Sequence, residues 1–161
     1  MFDAESVIKL IESLLKANLN TEIACINTIK NDAITLETIA ADHYLFETLD
    51  SRVNNFKKPF LLYGLQDTEA VKPQAGNYVE PVTVTIEIAF FDCGIKNRAT
   101  DVYKLLRYRE AIKRVILKNS DVFQGYSIPL VKGLNPASFP FDNKRTILAC
   151  GIDVTASITA N

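Results

Sequence analysis

One histidine, His43, stands between Asp42 and Tyr44, and it is the only imidazole in 161 residues. An Asp–His pair suggests general acid–base chemistry, but that chemistry needs a nucleophile and an orienting group brought to the ring in space. Neighbours along a chain usually diverge, so the pair alone predicts no catalytic site. Cys25, Cys93 and Cys150 are odd in number and far apart, without CxxC spacing. They are expected to be reduced thiols of a protein assembled in the cytoplasm rather than a disulfide framework. Zinc takes about four Cys, His or carboxylate ligands, and no local cluster offers them. Cys93 has no cationic or imidazole neighbour in sequence to stabilise a thiolate, and Cys150 is expected as a small buried hydrophobe. Asp67 and Glu69 sit where a solvated hairpin would carry charge. Neither a Gly-rich phosphate or dinucleotide loop nor a GxSxG nucleophile elbow occurs. The residues therefore predict no catalytic machinery, no metal and no cofactor.

Charge separates along the chain although the net value is −1. Residues 1–50 carry nine acids against three bases, a balance of −6. Residues 51–100 hold six bases and five acids, and residues 101–161 hold nine bases and five acids, giving +1 and +4. The basic excess includes one side of a predicted helix, Lys104, Arg107, Arg114 and Lys118. That face is too modest, and too poor in aromatic stacking groups, to make nucleic-acid binding more than a runner-up. Its counter-charge is expected from Glu5, Glu12 and Glu22 across a seam between copies of the chain, with Arg109 reaching over from the edge of the apolar arc. Two plainer readings stand beside this one: a contact within one chain, or two solvated helices.

These groups need a scaffold, and 161 residues with 48% hydrophobic and 23% charged content suit one domain with its own core. The expected domain is 1–161, with 1–55 holding N-terminal helices and a long connection, and 56–161 a sheet and central helix. The N-terminus lacks the basic start and unbroken apolar stretch of a signal peptide, and Lys9 and Glu12 interrupt the apolar residues that follow. Val7, Ile8, Leu10, Ile11, Leu14 and Leu15 predict a helix from Asp3, its cap, to Asn18. Asn18-Leu19-Asn20-Thr21 reads as a break, followed by a second short helix to Lys30 on Ile23, Ile26 and Ile29, which could equally form a strand. Asn31 to Asn55 reads as a connection with a helical turn near Tyr44 to Val53.

Phe60 to Leu65 is a short apolar run suited to a buried strand. Asp67 to Tyr78, with Pro73 and Gly76-Asn77, marks a loop or hairpin tip. Beyond Pro81, Val82, Val84, Ile86, Ile88 and Phe90 alternate with Thr83, Thr85 and Glu87, the pattern of a half-buried strand. Thr100 to Lys118 predicts a helix capped by Thr100, with Asp101 near its positive end, a Glu110–Arg114 pair and an apolar arc of Val102, Leu105, Leu106, Ile112, Val115 and Ile116. Val122 to Val131 has strand character, Gly133 to Asn143 reads as a loop, and Lys144 to Ile158 alternates as a last strand. The sum is an α+β domain: an antiparallel sheet of about four strands with helices packed on one face.

This order of elements resembles the tail terminator and neck (head–tail connector) proteins of tailed bacteriophages. The resemblance rests on the leading helix Ser6 to Lys16, the strand Pro59-Phe60-Leu61-Leu62-Tyr63-Gly64 after a long connection and the alternating Pro81-Val82-Thr83-Val84-Thr85-Ile86-Glu87-Ile88. It continues through the helix Tyr103 to Ile112 and a terminal hairpin. It implies a structural virion protein of the phage neck or tail, assembled in the host cytoplasm, without active site or cofactor. Such a protein forms a homo-oligomeric ring, usually a hexamer, against tail tube, sheath or connector proteins, and passes double-stranded DNA without specific binding or membrane contact. A tube, sheath-associated or baseplate subunit could share the same elements. Under this resemblance Thr83, Thr85, Glu87, Asp153 and Thr155 are expected to face the lumen through which DNA is ejected, provided the polar sides of their two strands point the same way. The plainer reading is an ordinary wet sheet face.

Overall fold

The structure is a computed structural model that describes residues 3–46, 51–66, 78–92, 98–123 and 129–160. Helix α1 runs unbroken from Ala4 to Lys30. Asp3 caps it by accepting from the Ser6 amide at 2.8 Å, and Asn31 closes it in the left-handed region at φ 42°, its N–H donating to the Asn27 carbonyl. Val7, Ile11, Leu14, Leu15, Leu19, Ile23 and Ile26 form one buried stripe at three- and four-residue spacing. The break expected at Asn18–Thr21 does not exist. The asparagines that suggested it are occupied otherwise: Asn18 Nδ2 donates to the Leu14 carbonyl at 3.0 Å, and Asn20 and Asn27 reach out to the chain that follows the helix.

That chain, the expected long connection, is a strap tied to both helices. Asn27 accepts from the Leu36 amide and donates to the Leu36 carbonyl, at 2.8 and 2.9 Å. Asn20 does the same to Ile39, also at 2.8 and 2.9 Å. From the other side, the Tyr108 hydroxyl accepts from the Glu37 amide and donates to the Glu37 carbonyl. Leu36 and Ile39 are buried between these ties. The strap leads to strand β1 (Tyr44–Phe46), where the helical turn expected near Tyr44 to Val53 was to begin, and to a 3₁₀ turn (Ser51–Asn55) that overlaps only the end of that expectation.

The remaining strands are β2 (Phe60–Leu65), β3 (Tyr78–Phe91), β4 (Leu130–Gly133), β5 (Ala137–Pro140) and β6 (Thr146–Ala160), with helix α2 (Arg98–Lys118) between β3 and β4. The α+β class stands, but among the described residues the sheet has six strands in the order β1-β2-β3-β6-β4, with β5 also on β6. It is mixed rather than purely antiparallel, because β1 runs parallel to β2. Three residues are too few to announce a strand by alternation, and β1 is held by pairing that only the fold provides. The expected loop from Gly133 to Asn143 contains a strand, β5; it and β4, which overlaps the end of the expected Val122 to Val131 strand, pair with successive stretches of β6, interrupted at Leu134–Pro136, where Leu134 N still donates to the Gly151 carbonyl. Ser120–Val122 is a 3₁₀ turn. The loop predicted from Asp67 to Tyr78 lies, but for Tyr78 at the start of β3, outside the described residues, as does Cys93.

Both helices cover one face of the sheet. Val82, Val84, Ile86 and Ile88 of β3 and Ile152, Val154, Ala156 and Ile158 of β6 meet α1 and α2 in a single core. Helix α2 begins two residues before the expected cap Thr100, and its buried arc is rotated. Tyr108 and Ala111 are inside, whereas Val102 is 37% exposed. Tyr108 can take a core position because the Glu37 backbone satisfies its hydroxyl.

Candidate functional site

Fourteen registered pairs join β3 to β6, among them Thr83 with Thr155, Thr85 with Asp153 and Glu87 with Gly151. Because side chains alternate, this register puts all five expected polar groups on the face away from the helices. Four of them are bonded in cross-strand pairs. Thr83 and Thr155 hydroxyls lie 2.8 Å apart, and Thr85 Oγ1 donates to Asp153 Oδ1 at 2.7 Å. Gln66, just past β2, donates Nε2 to Thr85 Oγ1 and Asp153 Oδ1 at 2.7 and 2.8 Å. Burial, and then the nearby Asp153 charge, push the Glu87 carboxyl above its ordinary value. Lys132 of β4 stands opposite Asp153 on this face. Gln66 and Lys132 were invisible to pattern reading, since neighbouring strands deliver them through register.

Glycine is required at the centre of the strip. A Cβ on Gly151 would fall 1.7 Å from the Ile86 carbonyl oxygen and 2.7 Å from Glu87 Cα, both backbone atoms. The wet surface covers only part of the face. Towards the other end, Phe60, Ala89, Ile147 and Ala149 make a second apolar cluster with Leu45 and Val53, flanked by Phe56, Phe139 and Phe141. Arg145 lies over the Phe91 and Phe141 rings at 4.7 and 5.1 Å.

Apart from Lys104, the residues expected at a seam have partners within the chain. Lys118 Nζ lies 2.7 Å from Glu22 Oε1, and Arg107 Nη1 donates to Asp32 Oδ1 at 2.9 Å and the Ile34 carbonyl at 2.7 Å. Arg114 meets Glu110 at 3.1 Å. Glu5 pairs with Lys9 and Glu12 with Lys16 along α1. Arg109 donates to the Leu134 carbonyl at 2.8 Å, lying against Gly133. Lys104 lines a cleft beside Asp101. The helix face is thus mostly engaged in ties to α1, the strap and the β4–β5 break.

His43 is a structural tie. Its Nδ1 donates to the Pro59 carbonyl at 3.0 Å and its ring stacks on Phe56 at 3.8 Å, joining β1 to the start of β2. Asp42 Oδ1 is 3.8 Å from Nε2. Cys150 is buried, as expected, with Sγ 3.3 Å from the Leu134 carbonyl, and burial pushes its thiol upward. Burial and Glu12 push the Tyr63 phenol up to about 12. Among the described residues no group of three His, Cys, Asp or Glu could hold a metal, and no helix is long and apolar enough to cross a membrane. No protein-family model matches the chain, and no curated protein matches it.

Proposed function

We propose that the chain is a structural subunit of a tailed-phage virion, a tail terminator or neck protein. In this reading six copies form a ring between tail and head connector, and the polar half of the sheet lines part of the DNA conduit. One observation carries it: Thr83, Thr85, Glu87, Asp153 and Thr155 share a single face, with Thr83 bonded to Thr155 and Thr85 to Asp153 across the two strands. Its hydroxyls and carboxylates offer a wetted wall with Lys132 as the adjoining cation. Lysine and arginine arrays hold phosphates by releasing counterions, so a conduit that lets DNA slide is better lined this way.

A ring closes when one surface of each copy meets a different surface of the next with the right rotation. Since Lys118 and Arg107 are already engaged within the chain, apolar area has to hold the seam, and the charges left at its rim act mainly on register and association rate. The test is solution mass at several salt concentrations, followed by electron microscopy. The expected result is a mass several times 18.0 kDa and visible rings. A monomer under every condition overturns the ring, and a ring with these five residues on its outer wall overturns the conduit.

A further inference from the structure

The strap, the segment before β2, the end of β3 and the first turns of α2 surround a cleft of about 330 Å³. This is the size of a small ligand pocket. Asp101 forms part of its wall and is only 3% exposed, yet its Oδ2 has no hydrogen-bond partner among the described residues. A buried carboxylate oxygen without a donor is costly, and folded proteins rarely leave one so. The other such oxygen, Glu22 Oε2, belongs to a carboxylate already paired with Lys118. Lys104, one turn beyond Asp101, attracts it electrostatically but forms no ion pair with it among the described residues.

We propose that this cleft binds an alkylguanidinium or alkylammonium group, its head donating to Asp101 and its apolar stem lying against Phe90 and Tyr108. The aromatic wall suits a weakly hydrated, planar cation. Lys57, Lys58 and Lys104 also line the cleft and favour a ligand that trails a carboxylate behind its cationic head, while Glu37 and Asp92 keep the lining near neutrality. The head can come from a free small molecule or from a side chain of a neighbouring protein chain. The assignment is independent of the ring reading.

The probe is Nα-acetyl-L-arginine, titrated into the intact protein and followed by amide chemical shifts and calorimetry. Saturable binding is expected, with shifts at Thr35, Lys58 and Lys104. Asp101→Asn should weaken it tenfold or more, the scale of a lost charged hydrogen bond. That variant should melt no lower than the parent, because it removes a buried charge. If the free probe does not bind but Asp101→Asn lowers the parent's oligomeric mass, the head is a neighbour's side chain and the proposal stands. Absence of both effects overturns it, as does equal binding by Asp101→Asn. Acetate binding that is lost in Lys104→Met also overturns it, by making the cleft an anion site. A monomeric parent would sink the ring reading but leave this titration intact.

Discussion

Replacing Asn27 with alanine sets two accounts of α1 against each other, because they predict opposite signs. Read as a helix-weakening residue, asparagine costs about 0.6 kcal/mol relative to alanine, so the substitution should stabilise. Read as a clamp, it holds both the amide and the carbonyl of Leu36, a residue 3% exposed. Losing two hydrogen bonds at about 1 kcal/mol each, with their backbone partners left in a poorly hydrated place, outweighs the propensity gain. The net expectation is a loss of about 1.5–2 kcal/mol, or about 3–8 °C in melting temperature for a chain of this size. Urea unfolding with an unchanged slope would measure it, and hydrogen exchange at Leu36 and Ile39 would localise it. Asn20→Ala should cost a similar amount through Ile39. The double variant should cost less than the sum, since an opened strap has little left to lose. A neutral or stabilised Asn27→Ala, with Leu36 exchange unaltered, would refute the clamp.

Other consequences of the geometry are as direct. Gly151→Ala should cost about 3 kcal/mol or more, or prevent folding, because the new Cβ meets the β3 backbone; thermal melting or soluble yield reports it. Arg107 holds the Asp32 carboxyl down from 3.8 to about 2. A carboxyl depressed in the folded state adds stability above its unfolded value and loses it as pH falls through the folded one. Stability should therefore drop between pH 4 and 2, and Asp32→Asn should flatten that limb in acid titrations followed by circular dichroism. Lys118→Met leaves Glu22 buried without its cation and should cost about 1–2 kcal/mol in urea unfolding, discounted for the exposure of Lys118. Adding Glu22→Leu should restore parental stability.

Legibility followed the range of the interactions. Val82 to Ile88 announced its strand because a two-residue period survives in any context, and three- and four-residue spacing made α2 and the first half of α1 visible, though not the continuation of α1 past Asn18. Asn20 failed as a marker because the capacity that makes asparagine a cap, a short side chain that bonds backbone, also makes it a clamp on residues nineteen positions away. Glu22 and Lys118 had been singled out by charge, but their meeting across ninety-six positions follows only from helix packing. Asp101 read as a residue favouring a helix dipole. Its burial, in a cleft wall shared with Phe90 and with Thr35 and Glu37 of the strap, follows from packing that a helix pattern does not show. The polar strip was half legible: its five residues followed from alternation, whereas Gln66, Lys132 and the need for Gly151 came from strand register.

The break between β4 and β5 bears on how the molecule meets its own kind. An outer strand is a template that other chains can extend, and long, flat, regular ones are the dangerous ones. Here the outer strand on that side of the sheet, among the described residues, is two four-residue pieces parted at Leu134–Pro136. Pro136 and Pro140 have no N–H to give, and the Leu134 carbonyl is turned to Arg109 and Cys150. Strand addition is therefore blocked at this boundary. Copies that meet at this boundary have to recognise one another by side-chain shape and charge, an association that can be specific and that stops when the surfaces are filled.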